Sequence, residues 1–452
     1  MKKIIFLLLL PLLSKSQQDD AAFIKKISNE ILQNGQAYQQ LKYLTKNIGG
    51  RLAGSPSYNK AAQWGLETFK KVGADNAFLQ ECLVPHWIRG KGDYAYLISE
   101  KSKNKKALSM TAIGNSIGSK KEITAPLIFI ENYADLEAKR EEVKGKIVYY
   151  NAAFNATNIR TFKSYGETGT YRVNGPSRAA KYGAVGVVIR SLTEGTDNVP
   201  HTGTLHYNDS FPTIPAIAIG LEDADFIAAN AKNEHWKISM KTHGKMLPDT
   251  INHNVIAELK GTEFPDEYIT VGGHLDSWDL CEGAHDDGAG VVQTIEILRT
   301  FKALGYQPKH TIRFVLFANE ENGTRGGAKY AEEAKAKNEK HIFALESDAG
   351  GFTPRGFTFG MSKEKLEKVQ EWLSLLKPYG TESLEAGGGG ADIGALAKLL
   401  GTPVAGFIPD SQRYFDIHHA TTDTFESVNK RELLLGAVNI AALIYLVDKY
   451  GL

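Results

Sequence analysis

Tyr268-Ile269-Thr270-Val271-Gly272-Gly273-His274-Leu275-Asp276 opens the stretch that decides the fold. Gly283-Ala284-His285-Asp286-Asp287-Gly288-Ala289-Gly290 completes it. The first run predicts a strand over 268–273, and the second opens a helix over 288–304. The alternation then repeats. A strand at 311–318 is followed by a helix at 323–337, another strand lies at 342–346, and a helix over 430–449 closes the chain. Strands alternating with helices at this spacing predict an α/β fold, a doubly wound mixed sheet with helices on both faces. In open sheets of this kind function gathers at the carboxyl ends of the strands.

Three consecutive predicted strands end there in charged residues. The first runs into His274-Leu275-Asp276, the second into Asn319-Glu320-Glu321-Asn322, and the third, through Glu346-Ser347, into Asp348. His285-Asp286-Asp287 lies between the first two, and His418-His419 comes late in the chain. One carboxylate at a strand end is usually a helix cap or a solvated turn. Together these residues put two imidazoles and several carboxylates on one edge of one sheet, a donor set that suits two Zn²⁺ ions bridged by a carboxylate. Without cations so many acids would repel one another strongly.

The chain has 452 residues, with 53 Lys+Arg against 52 Asp+Glu and a formal net charge of +1. No global field therefore steers it onto nucleic acid or an anionic membrane. With 42% hydrophobic residues it is neither disordered nor fibrous. Its length allows two or three domains. Residues 1–16 read as a signal peptide, with Lys2 and Lys3 before an apolar run and Ser14-Lys15-Ser16 after it. That run is too short to span a bilayer, and no later segment reads as apolar enough, so export to the periplasm or medium without stable membrane insertion is expected. Cys82 and Cys281 then form one disulfide or stay as two thiols. Residues 17–123 form the first segment of the main domain, 124–245 an inserted β-rich module, and 246–452 the metal-binding segment. The histidines of the insert (His201, His206, His235 and His243) read as scattered and exposed.

His274-Leu275-Asp276-Ser277, the 283–290 motif, Glu320-Glu321, Asp348 and His419-Ala420-Thr421-Thr422-Asp423-Thr424 appear in an order that resembles the dinuclear zinc exopeptidases. That family includes bacterial leucyl aminopeptidases and glutamate carboxypeptidases. Gly49-Gly50-Arg51-Leu52-Ala53-Gly54-Ser55, Val84-Pro85-His86-Trp87-Ile88-Arg89-Gly90 and Glu346-Ser347-Asp348-Ala349-Gly350 are similar to its plasma glutamate carboxypeptidase branch. The resemblance implies two zinc ions per chain, one held by His274 and Asp348, the other by Glu321 and His419, with Asp286 bridging. It implies Asp276 as the acid that orients the His274 imidazole and Glu320 as the general base. It also implies that the insert is a protease-associated domain and that the protein is a homodimer. The expected activity is that of a metallo-exopeptidase hydrolysing short peptides, dipeptides above all, by attack of a zinc-bound water.

The chain departs from the aminopeptidase pattern at Gly387-Gly388-Gly389-Gly390-Ala391-Asp392, where those enzymes carry a Tyr that serves the oxyanion. Gly389, Gly390 and Asp392 are read as a close backbone approach to substrate. Oxyanion stabilisation then falls to a zinc, to backbone N–H groups or to Tyr414. His418 is read as a substrate contact or a structural hydrogen bond. Asp423 is expected to brace the His419 loop. Three other functions fit parts of the pattern: an aminopeptidase on longer peptides, a single-zinc glutaminyl cyclase-like enzyme, and a catalytically dead receptor or scaffold.

Overall fold

The computed structural model describes residues 10–232 and 234–452. Residues 1–9 of the expected leader lie outside them. In chain order the strands are β1 (Asn76–Ile88), β2 (Tyr94–Ser99), β3 (Lys105–Ala107), β4 (Met110–Ala112), β5 (Ile123–Ile130) and β6 (Ile147–Tyr150). Next come β7 (Gly186–Arg190), β8 (Ala216–Ile219), β9 (Trp236–Lys241), β10 (Lys245–Leu259) and β11 (Phe264–His274). The last are β12 (His310–Phe317), β13 (Lys340–Glu346), β14 (Pro354–Gly360), β15 (Ser383–Ala386) and β16 (Val404–Pro409).

One sheet has the order β1-β10-β12-β11-β13-β16-β14-β15. Its centre, β12-β11-β13-β16, is parallel, and antiparallel strands flank it. These central strands are buried on both faces, which accounts for near-continuous apolar runs such as Phe314-Val315-Leu316-Phe317. Alternate residues feed two cores. Val255, Phe314 and Leu316 pack with helices Ala289–Ala303 and Lys430–Tyr450, whereas Ile256, Val315 and Phe317 pack with Arg325–Ala336 and Gly394–Leu400. β11 has β12 on one side and β13 on the other, so consecutive crossovers diverge at its carboxyl end. That is the crevice where open sheets bind ligands.

Helix Lys430–Tyr450 corrects one expectation. By length and composition it is apolar enough to cross a membrane, with a mean hydropathy of 1.5, yet 83% of that window is buried inside the protein. A helix hydrophobic all round is what a position between the sheet and the helix Leu10–Asn34 requires.

The second sheet has the order β3-β2-β9-β5-β6-β7-β8-β4 and is emitted between the long paired strands β1 and β10. It begins with β2 at Tyr94, ahead of the expected boundary at 124, because β2, β3 and β4 are antiparallel edge pieces of it. Its core β5-β6-β7-β8 is parallel and carries helices, among them Thr161–Val173 and Leu221–Asn230, so this unit is α/β rather than simply β-rich. Cys82 and Cys281 are both buried and free, which settles that alternative.

Candidate metal centre

The carboxyl ends of β11, β12 and β13 deliver the expected residues to one place. Register sets His274 level with Phe317, and Gly272 level with Glu346, so His274, Glu320-Glu321 and Asp348 emerge side by side. Gly273 and Gly290 allow the helix Ala289–Ala303 to approach the strand: a Cβ on Gly273 would lie 2.3 Å from Asp287 Oδ2, and one on Gly290 1.9 Å from the Ser347 carbonyl. Asp287 joins the two elements by accepting the His274 N–H at 3.0 Å and the Gly290 N–H at 2.9 Å.

Asp286 sits at the centre. Its Oδ1 lies 3.1 Å from His274 Nε2 and its Oδ2 lies 3.1 Å from His419 Nε2. On one side His274 Nε2 is also 3.3 Å from Asp348 Oδ1. On the other, His419 Nε2 is 3.1 Å from Glu321 Oε2. Two imidazole–carboxylate pairs thus flank one central carboxylate. Donor atoms of Asp286, His418 and His419 come within 4.8 Å of one another, as do those of His274, Asp287 and Asp348. Of the second group, Asp287 has both oxygens engaged by backbone amides, which makes it a brace.

Electrostatics show what this set of side chains lacks. Burial raises the pKa of Asp276, Asp287, Glu320, Glu321, Glu346, Asp348, Asp392 and Asp423, and neighbouring carboxylates add to the effect at most of them. Glu321, Glu346 and Asp423 are each pushed up to about 7. Asp286 alone falls well below the carboxylate range, because the imidazoles of His274 and His419 beside it outweigh its burial. Asp286 Oδ2, although His419 Nε2 lies 3.1 Å away, and Glu321 Oε1 are buried without a well-directed hydrogen-bond donor. Buried acids in this state are compensated by cations. His, Asp and Glu donors at this spacing fit zinc.

Braces fix the ligand loops. His274 Nδ1 lies 3.0 Å from the carbonyl oxygen of Asp276 and 3.7 Å from its carboxylate. The imidazole is therefore oriented by the Asp276 backbone, and the carboxylate instead accepts the N–H groups of Glu320 (3.0 Å) and Glu321 (3.3 Å). Asn319 adopts φ 64° to start that turn, a left-handed conformation that Asn tolerates. Asp423 accepts the N–H groups of His285 (2.8 Å) and Asp286 (3.1 Å), bracing the loop of the bridging carboxylate as well as its own. Arg51 is fully buried and donates to the carbonyls of Leu275 (2.5 Å), Glu282 (2.8 Å) and Gly283 (2.9 Å). It staples the segment between His274 and Asp286.

A cavity of about 270 Å³ opens over Asp286, Glu320, Glu321, Asp348, His418 and His419. Tyr414 lines it too. Gly389, Gly390 and Asp392 do not line it. A Cβ on Gly389 would lie 2.7 Å from Val404 Cβ, and one on Gly390 2.4 Å from Glu346 Oε2, so these glycines admit close packing against the sheet. Asp392 is buried beside Glu346, which accepts its N–H.

Sequence reasoning missed the opposite wall. Phe162, Tyr165 and Arg172 of helix Thr161–Val173, with Thr204 and His206, come from the second sheet's unit and close the cavity. The same unit holds the late histidines: His201 Nδ1 lies 2.7 Å from the His418 carbonyl, and the Thr202 N–H donates to the His419 carbonyl at 2.9 Å. His201 is thus buried, not exposed, and burial pushes its imidazole down to about 4. No spacing signal marks these residues, since each is defined by a contact with a distant part of the chain.

The profile of peptidase family M28 matches residues 254–444. Human carboxypeptidase Q is 33% identical over 416 residues, spanning 92% of this chain and 84% of the human one. The chain belongs to peptidase family M28. A crystal structure of a peptidase M28 precursor from Shewanella amazonensis superposes with a TM-score of 0.91 at 32% identity, covering 96% of this chain and 97% of that one. An aminopeptidase from Aneurinibacillus sp. strain AM-1, 24% identical, shares the fold with a TM-score of 0.65, over 93% of this chain and 95% of its own. The long match to carboxypeptidase Q makes this an M28 chain of the carboxypeptidase Q kind.

Proposed function

We propose that the protein is an exported, two-zinc exopeptidase that hydrolyses free dipeptides, with Glu320 as general base. The observation that carries the reading is the buried Asp286 carboxylate, shared between the His274–Asp348 and His419–Glu321 pairs and facing the same cavity as Glu320. Similarity to carboxypeptidase Q over most of the chain supports the carboxypeptidase side of the activity. The lysine-headed apolar N-terminus supports export.

Bound zinc supplies Lewis acidity at the scissile carbonyl and makes water more acidic. The rest falls to side chains. Burial and the nearby charges of Asp348, Glu321 and Asp276 raise the Glu320 carboxyl well above its ordinary range, the direction that strengthens a general base. The water oxygen bonds to the carbonyl carbon as Glu320 takes its proton. The C–N bond then breaks, and Glu320 returns the proton to the leaving amine. Tyr414 lines the same cavity, and its hydroxyl, which burial keeps protonated, is the donor this reading assigns to the oxyanion. The second sheet's unit closes the cavity opposite Glu320, which favours short substrates. Product analysis on a panel of free dipeptides, with and without a chelator, tests the proposal. Chelator-sensitive release of both amino acids is expected, and cleavage unaffected by thorough metal removal would defeat it.

A further inference from the structure

The two imidazoles of the metal centre are held differently. His274 has its Nδ1 3.0 Å from the Asp276 carbonyl, so a hydrogen bond fixes its ring. His419 has no such bond: its Nδ1 is buried without a partner among the described residues. A histidine ring turns in a broad, roughly two-fold torsional well, and a ligand ring is ordinarily oriented by a bond from its second nitrogen. His419 nevertheless brings Nε2 to 3.1 Å from both Asp286 Oδ2 and Glu321 Oε2. Its backbone lies at φ 62°, with its carbonyl accepting the Thr202 N–H at 2.9 Å. The ring itself is left to packing.

Two rings supply it. His418 stacks on His419 with centroids 3.5 Å apart and planes at 22°. Trp278 meets it edge to face, with centroids 5.8 Å apart and planes at 66°. Trp278 is fully buried, and its Nε1 has no partner among the described residues. A buried N–H without an acceptor is unfavourable, and a purely apolar side chain would avoid it, so the position uses the size and shape of the indole.

The indole is in turn placed from outside the metal loops. Trp87 of β1 packs across it at 78°, with centroids 6.3 Å apart. Its far edge lies on Gly114, in the loop after β4 of the second sheet's unit: a Cβ there would lie 1.9 Å from Trp278 Cη2 and 2.1 Å from Cζ3. Gly114 is tied down, since its N–H donates to the Gly203 carbonyl at 2.9 Å and its carbonyl accepts the Leu205 N–H at 3.1 Å. Thr202, the donor to the His419 carbonyl, is the neighbour of Gly203. One corner of the second unit thus grips the backbone of His419 directly and its ring through Trp278.

Resting on the two-zinc reading of the centre, we propose that Trp278, packed against Gly114, is a positioning residue for His419. It does for this ring what the Asp276 carbonyl does for His274, so that zinc affinity at the Glu321–His419 position depends on the fit of the second sheet's unit.

Calorimetric titration of zinc into the chelator-stripped full chain, against a competing chelator, reads both positions. The wild type is expected to take up two ions. Gly114→Ala alters no ligand, yet its methyl must displace the indole. It is expected to weaken one ion about 10- to 100-fold and leave the other within about twofold. In a Glu321→Gln background, which keeps the His274–Asp348 position, Gly114→Ala is expected to change the affinity of the remaining ion by less than about twofold. Trp278→Phe, which keeps a ring edge, is expected to lose less than Trp278→Leu. Equal weakening of both ions by Gly114→Ala, or a further loss in the Glu321→Gln background, would mark a general structural effect and overturn the proposal. Two unchanged affinities would overturn it as well. If Gly114→Ala does not fold, the two Trp278 variants decide by the same criterion, a loss confined to one ion and greater for Leu. A wild type that takes up a single ion defeats the two-zinc reading. The positioning role then stands if Glu321→Gln and Gly114→Ala both weaken that ion, and is overturned otherwise.

Discussion

Replacing Arg51 by Met would remove a guanidinium that touches no substrate and no ligand side chain, yet the structure assigns it a large effect. Its donors satisfy the carbonyls of Leu275, Glu282 and Gly283 in a fully buried setting. A buried acceptor left without a donor costs about 1–3 kcal/mol. Three such losses, partly relieved by relaxation of the loop, amount to about 3–5 kcal/mol, the range found when one partner of a buried polar cluster is deleted. Because the stapled segment joins His274 to Asp286, zinc affinity should also fall by about 10- to 100-fold, as it does when residues that orient ligands are lost. Urea unfolding of the zinc-loaded proteins measures the first quantity, and competition with a chromophoric chelator the second. A stability change below about 1 kcal/mol with unaltered zinc affinity would refute the reasoning, since either the carbonyls find water or the segment does not need the staple.

Glu320→Gln should retain zinc while kcat falls by about 10²- to 10⁴-fold, the contribution of a general base, and near-native turnover would remove that role. Asp423→Asn should leave one of the His285 and Asp286 N–H groups without an acceptor, lowering zinc content after dialysis with little change in secondary structure by circular dichroism. The metal-free protein should lose stability as pH rises from about 4.5 to about 7. Glu321, Glu346 and Asp423 hold their protons to about 7 in the fold but release them earlier when unfolded, so the unfolded state binds fewer protons across that window. Zinc should flatten or reverse that slope, and chemical denaturation at pH 5 and pH 8 with and without metal reads it. Thiol titration should find Cys82 and Cys281 silent in the native protein, where burial raises the Cys82 thiol to about 12, and both reactive on unfolding without a reductant.

The local part of this fold was legible. Apolar runs at the right lengths marked β11, β12 and β13, and several acids with two imidazoles along one sheet edge, unlike a single carboxylate there, are not explained as caps or turns, so His274, Glu321 and Asp348 stood out together. Roles that depend on tertiary contact were not. Asp276 looked like a side-chain partner of His274, but two residues of separation brought its carbonyl to the ring and sent its carboxylate to the turn after β12. The four glycines before Asp392 looked like an opening for substrate, yet Gly389 and Gly390 are small because Val404 and Glu346 lie against them. The cavity wall carried no periodic signal at all. Phe162, Tyr165 and Arg172 carry no mark of function in the sequence, and only the fold of the second sheet's unit brings them over the centre. His201 became a brace for the same reason: its partner, the His418 carbonyl, is 217 residues away.

The central claim is that Asp286 joins two metal positions that both serve hydrolysis. Titrating zinc into chelator-stripped protein while following release of amino acids from Ala-Phe tests it directly. The account predicts activity that climbs to a plateau at two zinc ions per chain. A plateau at one equivalent, or full activity in the stripped protein, would contradict it.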